Sequence, residues 1–344
     1  MRTLRSLAGL RPSAVEWELI VIDNGSSDGT FAAVEEVLEA EHFDNGRCVI
    51  EETPGLLAGR HRGVRESRGD VLVFVDDDVT FGENWLVALA DAFAEPECGL
   101  VCARSLPDYE CEPPAWLSGL WTTELGLPGG SACYLISVLD FGCERRLVDA
   151  RYAMGVSYAI RRDLLVELGG FHPDGVPWEL RMFRGDGETG VSLTARERGL
   201  MAHYEPDVLV HHRVPADRLT MEYLERRSYL QGITQSYTDL RRAAGLYSEA
   251  DAPHQGVLRT YLWRLRSAVR RGRPTTDPAS DGSRGGTLAT AFHQGYAYHQ
   301  EQYRHNAFVE AWVNRPDYWD YSLPAEAALL WCETARPLAQ DREP

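Results

Sequence analysis

An apolar run of strand length, Val71 to Val75, ends in three consecutive carboxylates, Asp76, Asp77 and Asp78. Acidic side chains crowded at the tip of a buried strand repel one another, so a cation or cationic ligand beside them would relieve the strain. Aspartates also end strands and open turns because they hydrogen-bond their own backbone. On these residues alone both readings stand. A second strand candidate, Leu19 to Ile22, runs into Asp23-Asn24-Gly25-Ser26-Ser27-Asp28-Gly29-Thr30. Ligands of open α/β sheets bind at the carboxyl ends of strands, where the Asp23 carboxylate could accept hydrogen bonds from a base or sugar. Asn-Gly and Asp-Gly are equally plain turn signals, and Asp28 or Thr30 could do no more than cap the following helix.

The elements that would position these groups follow an alternating pattern. Short apolar runs at Trp17 to Ile22, Arg47 to Ile50, Val71 to Val75 and Gly99 to Ala103 alternate with helical stripes such as Phe31, Val34, Val37, Leu38 and Trp85, Leu86, Leu89, Phe93. That alternation predicts an α/β fold, a mostly parallel sheet flanked by helices. Residues 107–130 are rich in Pro, Gly and Trp and predict an irregular segment. Tyr152 to Ile160 returns to a strand pattern, and Arg162 to Leu168 predicts a short helix stopped by Gly169 and Gly170. Beyond about residue 217 the pattern turns helical, over Leu219 to Tyr237 and Leu288 to Trp312, with a mobile loop expected near 271–286. The expected division is therefore 1–217 for the α/β domain and 218–344 for a C-terminal helical extension.

Bulk properties narrow the function classes. A formal charge of -17 over 344 residues argues against a nucleic-acid groove, because phosphate binding there needs clustered Lys and Arg. It leaves room for a small anionic ligand held through a metal. No apolar stretch approaches the roughly 20 residues that span a bilayer, and no signal-peptide core follows Arg2 and Arg5, so the expected location is cytoplasmic. The seven cysteines are odd in number and form no CxxC pair, which predicts reduced thiols rather than a disulfide framework or zinc site. His293, His299 and His305 are spaced by six, which does not gather a metal site on a helix.

Taken in order, the Asp23 motif, then Gly55-Leu56-Leu57-Ala58-Gly59-Arg60-His61-Arg62-Gly63, then Arg68-Gly69-Asp70 leading into the aspartate triplet, resemble the family 2 glycosyltransferases of the GT-A fold. The resemblance covers roughly residues 1–240. It implies a nucleoside-diphosphate sugar donor, with Asp23 at the nucleobase and Arg60 near the base or diphosphate. Asp76 and Asp77 would approach the ribose, with Asp76 also reaching the metal through water, and Asp78 would bind a divalent Mn2+ or Mg2+ directly as the last member of a DXD-like motif. Hard cations of this kind take oxygen ligands and keep few protein carboxylates beside substrate phosphates.

Further along, Gly155 to Arg162 and Leu168-Gly-Gly-Phe-His172 look like the acceptor-side strand and turn of the same family. Its relatives carry a Glu-Asp pair before the next helix, with the carboxylate nearer the helix as base. Here Gly185-Asp186-Gly187-Glu188 makes Glu188 the expected base and Asp186 the substitute. Gly187 stands where the pair would have its first acid. His211 and His212 follow the apolar run Val208 to Val210, and the resemblance implies that one completes the metal site or touches the diphosphate. Adjacent strand residues point to opposite faces, so at most one does. The expected activity is inverting, metal-dependent hexosyl or deoxyhexosyl transfer to an acceptor hydroxyl on a glycan, lipid-linked saccharide or small aglycone. The C-terminal helices would help shape the acceptor site or an oligomer contact. A nucleotidyltransferase of the sugar-nucleotide pyrophosphorylase type lacks support, since no Gly-rich loop with a basic residue lies near the N-terminus. A non-catalytic carbohydrate-binding scaffold would draw on a departure at the amino end.

That departure is the absence of the strand and Thr-Tyr-Asn loop with which relatives open. Met1 to Leu10 would already be the helix that leads to the Asp23 strand. Either the recorded start is internal to a longer reading frame, which is the expectation, or donor binding is weakened. A sheet lacking that strand would expose backbone groups and apolar surface.

Overall fold

The computed structural model describes residues 1–121, 130–247, 281–325 and 327–331. Its strands are β1 (Leu19–Asp23), β2 (Gly46–Ile50), β3 (Val71–Val75), β4 (Val79–Phe81), β5 (Leu100–Tyr109), β6 (Ser131–Cys133), β7 (Val138–Asp140), β8 (Arg146–Asp149), β9 (Ser157–Arg161) and β10 (Met201–Val214). Its α-helices are α1 (Arg2–Ala8), α2 (Thr30–Ala40), α3 (Leu56–Glu66), α4 (Trp85–Ala94), α5 (Arg162–Glu167), α6 (Glu188–Glu197), α7 (Met221–Ala243), α8 (Asp281–His305) and α9 (Ala307–Val313). The anticipated stripes are the buried faces: Val34, Val37 and Leu38 on α2, and Trp85, Ala88, Leu89 and Ala92 on α4.

The main sheet runs β3-β9-β5-β10-β4, and β6, β7 and β8 attach at its side. The parallel set expected from the alternating pattern is present, since β5 and β10 pair parallel and β3 has the same sense. The sheet is nonetheless mixed, because β4, β7, β8 and β9 all run antiparallel to the strands they pair with. β9 lies antiparallel between β3 and β5, because it reaches the sheet through the irregular stretch after β8 rather than through a crossover helix. β1 and β2 form a separate two-stranded parallel sheet, and no backbone ladder joins them to β3 among the described residues. Along these outer strands Leu19 to Ile22 are only half-buried and Val73 is exposed, whereas β9 is buried from Ser157 to Ile160.

The C-terminal helices share the core of the α/β layer. Tyr237, Val309, Trp312, Val313 and Tyr318 pack in one buried cluster with Leu57, Tyr158, Phe171, Phe183 and Val191. Helices α7 and α8 cross on two glycines: a Cβ on Gly232 would run into the Phe292 carbonyl, and one on Gly295 into that of Tyr229. Beyond α9 the chain returns to the first half of the molecule. His61 Nδ1 lies 3.0 Å from the Tyr318 carbonyl, the His61 ring stacks on Trp319 at 4.5 Å, and Tyr321 donates to Glu51 at 2.7 Å. The loop anticipated over 271–286 falls outside the described residues as far as 280, and from Asp281 the chain is helical. Among the described residues no helix is long and apolar enough to cross a membrane, and six cysteines are free thiols; Cys332 lies outside them.

Candidate active site

The end of β3, α3, the start of α6 and the far half of β10 bring Asp76, Asp78, Arg60, Glu188 and His212 together, while Asp23 stands at the end of β1. Asp23 is buried at the end of β1, where Oδ1 accepts from the Ser26 amide at 2.9 Å and forms the turn anticipated from the sequence. Asn24 is an unforeseen brace. Its amide donates to the carbonyls of Glu51 and Thr53 at 3.0 and 2.6 Å and its oxygen accepts from Gly55 at 2.8 Å, which fixes the loop feeding α3.

Arg60, on α3, is buried with its guanidinium 5.0 Å from the centre of the Phe171 ring. Its Nη1 pairs with Glu188 Oε2 at 2.8 Å, and the Gly155 amide donates to the other Glu188 oxygen at 3.0 Å. The sequence pointed Arg60 toward the base or diphosphate, and in the structure its direct charge partner is Glu188. Glu188 opens α6, where the exposed amides of the first turn favour a carboxylate. Burial pushes its pKa up, and the charge and hydrogen bond of Arg60 with the backbone amides outweigh that, leaving it below the ordinary value. Glu188 is thus ionised at neutral pH, with its side chain 22% exposed.

Asp186 is elsewhere. Although two residues from Glu188, its side chain is fully buried, accepting from His172 Nδ1 at 2.7 Å, Thr238 Oγ1 at 2.8 Å and the Tyr247 hydroxyl at 2.9 Å. Gly187, at φ 57°, turns the chain between the two acids so that they face different ways. Asp186 therefore cannot act as a substitute base. Its oxygens are already engaged, and no face is open to an acceptor.

Of the triplet, Asp77 is exposed and the other two are partly covered. Burial pushes the Asp76 carboxyl up to about 7; Arg60 opposes the rise, and the nearby Asp78 and Glu188 charges add to it. Asp78 Oδ2 meets Arg218 Nη1 at 2.7 Å and His212 Nε2 at 3.4 Å. Burial works to raise the Asp78 pKa, and the ion pair with Arg218 opposes it, leaving the pKa below the ordinary value. His212 Nδ1 sits 2.8 Å from the Ile136 carbonyl, so the hydrogen belongs there and Nε2 presents its lone pair to Asp78. Of the two adjacent histidines it is His212 that reaches the triplet. His211, half-buried at the next register position opposite Thr80, belongs to the other face of β10.

Does this set suit a divalent cation? Asp78 Oδ1 is buried with no hydrogen-bond partner, which is the vacant valence a cation would fill. Among the described residues no three His, Cys, Asp or Glu side chains form a ready-made metal cluster. One carboxylate oxygen and one imidazole fit an ion that completes its shell with phosphate and water.

The family model described as Glycosyl transferase family 2 matches residues 1–144, the stretch that carries Asp23, Arg60 and the aspartate triplet. Over these residues the chain is similar to glycosyl transferase family 2. Among curated relatives, a glucosyl-dolichyl phosphate glucuronosyltransferase of Haloferax volcanii is 21% identical over 62% of this chain and 63% of its own length. The succinoglycan biosynthesis protein ExoM of Rhizobium meliloti is 25% identical over 71% of this chain and 72% of its own. Among solved structures, the mannosyltransferase PcManGT of Pyrobaculum calidifontis, in complex with GDP-Man and Mn2+, aligns over 99% of this chain and 83% of its own at 18% identity and a TM-score of 0.49. The chain thus spans under two thirds of the archaeal glucuronosyltransferase's length.

The sequence left four participants unseen: Arg218, and the His172, Thr238 and Tyr247 partners of Asp186. Of these, His172 alone carried a signal, in the turn that precedes Asp186.

Proposed function

We propose that the protein is an inverting, metal-dependent glycosyltransferase that moves a sugar from a nucleoside diphosphate to an acceptor hydroxyl. The observation that carries this reading is a division of labour among carboxylates. Glu188 is ionised, half-open and pinned by Arg60 and Gly155, while Asp78 keeps an unpartnered oxygen beside a lone pair of His212. In the proposed step the acceptor oxygen attacks the anomeric carbon and the bond to the diphosphate breaks on the opposite face, leaving its electron pair on the nucleoside diphosphate. The acceptor proton passes to Glu188. Pairing with Arg60 makes Glu188 a weak base, which suffices where the transition state is oxocarbenium-like and the acceptor acidifies late.

Asp78 and His212 would hold the divalent cation, Mn2+ or Mg2+, with Asp76 close enough to act through water. When bound, such an ion neutralises charge developing on the leaving diphosphate. Asp23 and Asp77 are the proposed contacts to the nucleoside. The relatives' names point to glycan or lipid-linked acceptors: a dolichyl-phosphate-linked sugar for the archaeal protein and succinoglycan for the rhizobial one.

A thermal-shift panel of UDP, GDP, CDP, ADP and dTDP and their sugars, with and without Mn2+, tests the reading. At least one nucleotide should stabilise the protein in a Mn2+-dependent way, and Asp78→Asn should abolish that dependence. No stabilisation by any member of the panel would overturn the reading.

A further inference from the structure

We propose that Arg218 is a resident cation of the Asp78 site, which gives way to the divalent metal and then pairs with the donor's diphosphate. This rests on the metal-dependent donor reading above. Arg218 Nη1 lies 2.7 Å from Asp78 Oδ2 and 3.3 Å from His212 Nε2. One guanidinium nitrogen thus bridges a carboxylate oxygen and an imidazole lone pair, the two atoms that would otherwise converge on a metal. The tautomer supports this, since the His212 Nδ1 hydrogen is committed to Ile136 and Nε2 can only accept.

The arginine is built to leave. It sits on a single 3-10 turn, Ala216–Leu219, that follows Pro215 at the exit from β10, and its side chain is 32% exposed. Among the described residues its hydrogen bonds run through Nη1 alone, so the rest of a guanidinium with five donors is uncommitted. A metal at Asp78 would repel Arg218 and take over both of its acceptors. The freed planar fork then matches the oxygens of the diphosphate that arrives with the metal. The same residue keeps the acidic cleft near charge balance before loading, where Asp76 and Asp78 would otherwise face each other with fewer cations.

The test measures binding rather than turnover. Mn2+ affinity is titrated by electron paramagnetic resonance for wild type, Arg218→Met and Asp78→Asn, and then UDP, GDP, CDP, ADP and dTDP are titrated at saturating Mn2+. Each diphosphate is paired with its monophosphate. Arg218→Met should bind Mn2+ alone about tenfold more tightly than wild type and bind the preferred diphosphate at least about tenfold more weakly, with the monophosphate unchanged. Arg218→Lys, which keeps the charge without the fork, should restore the weak Mn2+ affinity and only part of the diphosphate affinity. Unchanged or weaker Mn2+ binding in a folded Arg218→Met would overturn the proposal while leaving the donor reading intact. If wild type bound neither Mn2+ nor any diphosphate, both would fall.

Discussion

Two acidic clusters, Asp186 with its partners and Asp76 with Asp78, differ in how completely they are satisfied. Asp186 is sealed with His172, Thr238 and Tyr247, and both of its oxygens are taken. Asp76 and Asp78 share a cleft edge, one pushed up to about 7 by burial, the other with a buried oxygen that nothing meets. The first cluster is what a fold does with a carboxylate it must bury: it surrounds the charge with donors. The second leaves electrostatic cost unrelieved, and such cost is retained where a ligand relieves it. Glu188, between the two, is held on one side by Arg60 and Gly155 and stays accessible on the other.

The comparison breaks first at Glu188. Replacing it with Gln keeps shape and removes the base, so transfer should fall by about 10^2 to 10^4-fold while Mn2+-dependent nucleotide binding is kept. Radiolabelled sugar transfer beside the thermal-shift panel would show it, and residual transfer within about tenfold of wild type would remove Glu188 from the role.

Next in size is the contrast in stability between the clusters. Asp186→Ala leaves three buried donors without their acceptor and should cost about 3 to 5 kcal/mol in denaturant unfolding. Asp78→Ala should cost less than about 1 kcal/mol, because its partner Arg218 is 32% exposed and rehydrates when the pair is lost. Equal losses at the two positions would mean that both carboxylates are structural.

The triplet and Asp23 were legible because a strand running into acids is a local pattern. What each acid meets was not. Arg218 and Asp78 are 140 residues apart, and Thr238 and Asp186 are 52 apart, so no window of sequence contains either pair. Asp186 and Glu188 show the limit most sharply. They are two residues apart, yet the left-handed turn at Gly187 decides which one faces the cleft, and helical periodicity cannot be extended across it. The antiparallel β9 escaped for a related reason, since strand direction depends on the path of the preceding loop, and its residues read the same either way. The helical character after residue 217 was legible, but its union with the first core was not; the Tyr318 to Tyr321 contacts that make it come from about 260 residues away.

A smaller effect tests the sealed side through pH. His61 is fully buried, donating from Nδ1 toward the Tyr318 carbonyl and accepting at Nε2 from the Phe171 amide, so it is held neutral. Burial pushes its pKa down to about 4 from 6.5. Between those values the unfolded chain binds a proton that the folded chain does not, so stability is lost as pH falls from about 6.5 to 4 and the loss saturates below. The full contribution is about 3 kcal/mol. Urea unfolding at pH 7 and pH 4 should show the wild-type loss exceeding that of His61→Gln by about this amount, and parallel losses would show that His61 titrates normally.

The smallest expected change separates positioning from folding. Gly155 has no side chain because a Cβ there would collide with Arg60 Nη2 and press on Glu188 Oε1. Gly190 has none because a Cβ would meet His172 Nδ1 and Asp186 Oδ1. On the open side the Glu188 carboxylate can move toward the cleft, so Gly155→Ala should lower kcat about tenfold and leave the melting temperature within about 2 °C of wild type. On the sealed side nothing can move, and Gly190→Ala should cost about 1 to 3 kcal/mol of stability by overpacking. If Gly155→Ala instead lost stability and kept kcat, the Arg60–Glu188 pair would be a structural tie like the Asp186 cluster, and the base would have to be sought elsewhere.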